Sequence, residues 1–318
     1  MIKELYLGYN RDFTPMGWGA LSTVLLNHNS ALEKLHLDNT QINNDVLHLI
    51  TINPIANVRL RDLNLSKNDD VTSAGWVSFT AVFLSPASSL EKLSLNENSL
   101  DDAVIDALIS ALRDNSRLRE LHLMLNGSSE VTNHGWMALS TFLRNPNSAL
   151  EILNLQENDI DDDTAFLFAE ALADNNTLKE LNTGVDGAAD YFTSFSCAAF
   201  TRILCNTSSI LDTYNSNHAL GKLCNKESMS QADEYDDDYE DLLADLRSIL
   251  KINKENTKSH AACIKIINTH FRGPEINTEV FAGMKLNVLP IAIAWTWMGR
   301  DSDKTQNVFT PHERAIIM

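Results

Sequence analysis

Leucines recur along the first two thirds of the chain in one phrase, LxxLxLxxN, in which apolar and polar positions alternate before an asparagine closes the run. It reads KELYLGYN from Lys3, EKLHLDNT from Glu33, RDLNLSKN from Arg61, EKLSLNEN from Glu91, RELHLMLN from Arg119, EILNLQEN from Glu151 and KELNTGVD from Lys179. Alternation over so few residues predicts a strand with one buried face, carried in the fourth copy by Leu90, Leu93 and Leu95. The anchors Leu5, Leu35, Leu63, Leu93, Leu121, Leu153 and Leu181 are 30, 28, 30, 28, 32 and 28 residues apart, and a degraded eighth copy is expected near Leu211. A repeat of this length predicts a solenoid whose units pack only on their neighbours.

Between phrases the period changes. Thr14-Pro15, Asn43-Asn44, Thr72-Ser73, Asp101-Asp102, Thr132-Asn133 and Asp161-Asp162 each precede an apolar run at helical spacing, such as Val104, Leu108, Ile109 and Leu112. Such residues cap helices by accepting from first-turn amides. One strand and one helix per unit therefore stack into a parallel sheet backed by helices. The asparagine at positions 10, 68, 98, 126 and 158 has both an amide donor and a carbonyl, suited to backbone groups that a tight turn leaves unpaired. Thr40 and Asp186 stand in its place in two units.

Seven copies of this phrase over roughly residues 1 to 210 resemble the leucine-rich repeat family, in particular its ribonuclease-inhibitor-like class. The resemblance implies an α/β horseshoe with a parallel concave sheet and convex helices, whose concave face binds another protein. It specifies no partner.

Two columns of charge run down the stack. The first is Lys3, Glu33, Arg61, Glu91, Arg119, Glu151, Lys179, and the second is Glu4, Lys34, Asp62, Lys92, Glu120, Ile152, Glu180. Sign alternates at each step until Ile152 interrupts the second column. Parallel neighbours lie about 4.8 Å apart, so this alternation fixes register, with about 0.2–1 kcal/mol for each exposed pair. Odd units add Thr-x-x-Gly-Trp, at TPMGW, TSAGW and TNHGW, while the seventh has Ser196-Cys197 instead of Gly-Trp. Trp18, Trp76 and Trp136 are expected to fill the core of these wider units.

Candidate partner contacts are the outward strand positions that depart from small polar residues. Met124, Leu125, Ile152 and Val185 are apolar where solvent is expected, either as contact residues or because the C-terminal segment covers them. Tyr6, Tyr9 and His36 form a second candidate patch, and His122 shares the face. The first strand starts at residue 3 with no capping segment, which implies either upstream sequence or a protein covering Ile2, Leu5 and Leu7.

The predicted organisation is a solenoid over 1–212, an acidic linker or loop over 213–241, a helical capping segment over 242–300 and a flexible tail over 301–318. Helical spacing is carried by Leu242, Leu243, Leu246, Ile249 and Leu250, then Ala262, Ile264, Ile267, His270 and Phe271, then Val288 to Met298. The acidic run from Asp233 to Asp241 lacks the glycine and glutamate offsets of an EF-hand. With a net charge of −18, the chain is unsuited to nucleic-acid phosphates or anionic membranes and better suited to a partner with a basic surface. The longest apolar stretch, Leu286 to Met298, is too short to span a bilayer. With no signal-like start, a cytoplasmic location is expected, the nucleus being left open. Cys197, Cys205, Cys224 and Cys263 show no CxxC spacing, and no phosphate loop, nucleophile elbow or HExxH occurs. No cofactor, metal or catalytic residue is therefore expected.

The expected function is a non-catalytic protein-interaction scaffold. An alternative follows from a second resemblance, to the Ran GTPase-activating proteins, which also join such repeats to an acidic region. A third is the sensor fragment of a larger defence or ubiquitin-ligase protein.

Overall fold

The computed structural model describes residues 2–27, 30–51, 59–86, 88–126, 131–145, 147–158, 160–184, 193–223 and 237–270. Each repeat phrase forms a strand centred on its anchor leucine: β1 (Glu4–Tyr6), β2 (Lys34–His36), β3 (Asp62–Asn64), β4 (Lys92–Ser94), β5 (Glu120–His122), β6 (Ile152–Asn154) and β7 (Glu180–Asn182). A further strand, β8 (Lys222–Leu223), completes one parallel sheet in chain order. Leu5 registers with Leu35, and so on to Leu181 with Leu223. A slip by one residue would turn every one of these leucines to solvent, so the pattern itself enforces the register.

Helices α1 (Pro15–Leu25), α2 (Asn44–Thr51), α3 (Ser73–Phe83), α4 (Asp102–Leu112), α5 (Asn133–Leu143), α6 (Asp162–Leu172) and α7 (Ser194–Leu204) follow β1 to β7 in turn. The expected caps hold most of them: Thr14, Asp101, Thr132 and Asp161 accept from first-turn amides, and Asn43 Oδ1 accepts from Val46 N. Thr72 differs, its hydroxyl accepting from Asn44 Nδ2 of the preceding unit. Strands stack at about 4.8 Å, whereas packed helices need about 8–10 Å. The sheet therefore lines the inner, concave side.

The turn asparagines form a continuous buried ladder. Asn68 N donates to Asn98 Oδ1 (2.7 Å), Asn98 N to Asn126 Oδ1 (2.8 Å) and Asn126 N to Asn158 Oδ1 (2.7 Å). Each Nδ2 returns to a carbonyl of the preceding unit, as Asn126 does to Leu95 O and Asn158 to Leu123 O. Thr40, in the asparagine's place, bonds within its own unit, its hydroxyl donating to Leu37 O at 2.7 Å. The turn residues Tyr9, Lys67, Glu97, Leu125 and Glu157 just before the asparagine, and Asn39 before Thr40, have positive φ.

Trp18, Trp76 and Trp136 are buried, as core filling requires. The preceding glycine has its own reason. A Cβ on Gly135 would sit 2.6 Å from Asp102 Oδ1 and 2.9 Å from Val131 Cγ1. That carboxylate clamps the next helix start, accepting from Thr132 N (2.8 Å) and Gly135 N (3.2 Å). Burial pulls the Asp102 carboxyl upward, but donation from Thr132 and Gly135 outweighs it and holds the group below its usual range. In the seventh unit Ser196 takes the glycine position and donates its hydroxyl to Asp162.

The chain departs from its repeat after α7. Leu211, where the pattern suggested an eighth unit, lies in α8 (Ile210–Asn215), and the eighth strand is β8, later in the chain. β8 and the start of α9 (Asp237–Glu255) both fall within the segment expected to be an acidic linker. α9 packs on α7 and β8, and α10 (Lys258–His270) packs on α8 and α9. In α9 Leu243, Leu246 and Leu250 are buried as the spacing predicts, whereas the buried face of α10 is Ala261, Ala262, Lys265 and Ile266. Ile264 and Ile267 are half-buried. The expected helix over 288–298, the tail from 301, Phe271 and Cys224 lie outside the described residues.

Signals for β8 were present in a second asparagine column. Asn115, Asn175 and Asn217 each stand three residues before a strand-opening leucine, accept from its amide, and donate back to a carbonyl of an earlier unit. Asn253 of α9 continues the column by donating to Asn217 O and Leu220 O. Lys265, 1% exposed, donates to Leu204 O (2.5 Å), Asn217 O (3.0 Å) and His218 Nδ1 (3.0 Å), so it closes the C-terminal end of α7. Burial pulls its ammonium down to about 7.

Candidate protein-binding face

With the leucines turned inward, the residues flanking each anchor leucine in its strand look onto the concave side. The second charge column lies there, as ion pairs Lys34–Glu4 (3.0 Å) and Lys92–Glu120 (2.8 Å), extended by Lys222–Glu180 (3.2 Å) on the eighth strand. The first column, at the edge where the strands begin, pairs Lys3–Glu33 (2.8 Å) and Arg61–Glu91 (2.5 Å), while Glu151 binds both Arg119 and Lys179. Cations and anions thus settle mostly into couples. The hydrogen bond from Lys34, with a smaller one from the Tyr6 hydroxyl, holds the Glu4 carboxyl below its usual value.

Tyr6 and His36 come together: adjacent by register, their rings meet edge to face at 4.7 Å, and the Tyr6 hydroxyl donates to Glu4 Oε2 at 2.9 Å. Tyr9 lies beyond the strand, in the turn, at 67% exposure. His36 Nε2 stands 3.5 Å from Asp62 Oδ1. His122 lies three strands from His36, with Nε2 3.6 Å from Glu120 Oε2. Burial, then the Lys92 charge, push the His122 imidazole below its ordinary value, against a smaller upward pull from Glu120.

The apolar candidates do not form one patch. Ile152 registers with Glu120 at the start of β5 and with Glu180 on β7, and is half-buried between them. Met124 is half-buried in the turn that follows β5, its amide donating to Asn96 Oδ1, and Leu125 beside it is 40% exposed. Four residues of rise separate Met124 from the level of Ile152, roughly 13 Å. Leu125 instead borders a shallow rim hollow with Arg11, Asn39, Lys67, Asp69 and Glu97. Val185 lies outside the described residues.

Among the described residues, no group of three or more His, Cys, Asp or Glu side chains is placed to hold a metal ion, and no helix is long and apolar enough to cross a membrane.

No family model matches the chain. Over 175 residues, 55% of the chain, it is 32% identical to the NACHT, LRR and PYD domains-containing protein 5 of Mus musculus. Over 192 residues, 59% of the chain, it is 29% identical to the Leucine-rich repeat-containing protein 73 of Rattus norvegicus. The matched stretches span 15% and 58% of the length of these relatives. Solved structures similar in part are the leiomodin-1 actin-binding site 2 (14% identity, 76% of this chain, 93% of that chain, TM-score 0.32) and the leucine-rich repeat-containing protein LegL7 from Legionella pneumophila (16%, 78%, 91%, 0.38). The LxxLxLxxN phrase, the strand and helix it builds in each unit, and relatives that carry leucine-rich repeats agree: the chain is a leucine-rich repeat protein.

Proposed function

We propose that this protein is a non-catalytic scaffold that binds a protein partner through the concave face of its sheet. The observation that carries this reading is the aromatic patch on the first two units. Tyr6 is 57% exposed and Tyr9 67%, with His36 against Tyr6, whereas Ile152 and His122 on the same face are half-buried. Tyrosines bring large contact area with few rotatable bonds, and their hydroxyls tolerate both water and a protein interface. Leu125, at the rim, supplies a second contact. A net charge of −18 favours a partner with a basic surface, since complementary fields speed encounter and repel acidic competitors.

The test is crosslinked capture from native cytosol with four proteins: wild type, Tyr6→Ala with Tyr9→Ala, Met124→Glu with Leu125→Glu, and Met137→Glu on the exposed face of α5, each checked for folding by circular dichroism. Prey lost in either concave variant and kept in the helix-face variant supports the reading. Prey lost only with Met137→Glu overturns it.

A further inference from the structure

A cleft of about 560 Å³ opens on the edge of the solenoid where β5 to β8 begin, walled on its far side by the end of α9 and the start of α10. Its cations are Arg119, Lys179, Lys222, Lys254 and Lys258, against two carboxylates, Glu151 and Glu180. A basic cleft in a chain of charge −18 calls for a cause.

The charge ladder supplies it. In the first column each cation has an acid as its neighbour, and after Lys179 the next position, on β8, calls for an acid. Gly221 stands there. A Cβ on it would sit 2.9 Å from Lys254 Cα, so glycine lets α9 close against the sheet and form the wall. The ladder is thus short of one anion at the cleft. Glu151 is left to serve both Arg119 and Lys179, and Glu180 serves Lys222 at 3.2 Å. Among the described residues, Lys258 donates only to a neutral carbonyl, Asn176 O, and Lys254 has no partner. The first residue of α10 is Lys258, so the positive end of that helix adds to the same field.

The wall is held in place independently of charge. Asn253, 5% exposed, lines the cleft and commits its Nδ2 to Leu220 O (2.7 Å) and Asn217 O (3.2 Å). Its Oδ1 has no partner among the described residues. That oxygen is closed to solvent, so Asn253 fixes the wall and offers a ligand no contact. The volume is in the range of sites that hold extended ligands rather than single ions.

We infer that this cleft binds an acidic peptide segment, its carboxylate or phosphoryl groups seated on Lys254, Lys258 and the Arg119–Lys179 pair. The cleft shares Glu180 and Lys222 with the far end of the concave face, six and seven strands from Tyr6, so the tyrosine patch and the cleft can fail independently.

The test is fluorescence anisotropy on the full chain with three labelled probes: a Glu-Asp peptide, a phosphoserine peptide, and the same serine peptide unphosphorylated. Saturable binding of one or both anionic probes is expected, weakening with salt, and the tighter probe identifies the anionic group. Lys254→Glu with Lys258→Glu should weaken it at least about tenfold, while Lys251→Glu, exposed on α9 outside the cleft, should change it less than about twofold. Both cleft lysines are exposed, and a glutamate at 258 suits a helix start, so the fold is retained. No saturable binding of either anionic probe at low salt overturns the inference. So does an equal loss with Lys251→Glu, which is diffuse attraction rather than a site.

Discussion

Replacing Asn126 by alanine tests how the units are joined. Asn126 is 3% exposed, and its side chain accepts from Asn98 N at 2.8 Å and donates to Leu95 O at 2.8 Å. Alanine leaves one buried donor and one buried acceptor without partners, each costing about 1–3 kcal/mol. Partial entry of water lowers the sum, so the expected loss is about 2–4 kcal/mol. Asn10 provides the control, because it stands at the same place in the first unit but donates within its own turn, to Leu7 O at 2.7 Å, and is exposed, so water replaces its bonds. Asn10→Ala should therefore cost less than about 1 kcal/mol. Urea titrations followed by tryptophan fluorescence and far-ultraviolet circular dichroism give both values, with Trp76 and Trp136 reporting on either side of the change. Because each unit touches only its neighbours, the two probes should also separate in Asn126→Ala as the array splits at the lesion. Equal losses for the two substitutions would refute the buried ladder as a source of stability.

Gly135→Ala should cost about 1–3 kcal/mol in the same titration, because its methyl meets Asp102 Oδ1 at 2.6 Å, and an unchanged midpoint would show that the clamp yields freely. Ile152→Lys restores strict alternation between Glu120 and Glu180 and should add about 0.2–1 kcal/mol at low salt, with the gain lost in molar salt. A destabilised variant would show that apolar packing of Ile152 outweighs the ladder. Burial, and then the Lys265 ammonium, depress His218 to about 4, below its ordinary 6.5. The unfolded chain therefore takes up this proton first as pH falls, so stability is lost from about pH 6.5 down through about pH 4, and His218→Asn should flatten that slope in denaturation measured across the interval.

Much of the fold could be read from the chain because a solenoid is built from local rules. Leucine alternation sets each strand, Thr, Asp and Asn caps set most helix starts, and the repeat places unit on unit, so burial of Leu35, Trp76 and Leu153 follows from spacing alone. The charge columns were equally legible, since parallel register converts a position in the phrase into a neighbour in space. Tertiary structure decided what breaks the repeat. That Lys222–Leu223 becomes the eighth strand depends on pairing with β7 and on Asn217, and that Ser196 replaces glycine depends on Asp162 in another unit. The separation of Ile152 from Met124 by the length of a strand, the burial of Lys265, and the cleft left where Gly221 replaces an acid are likewise set by contacts between segments far apart in sequence. Periodicity encodes what each unit repeats, and it carries no information about the one place where α9 and α10 close against the stack.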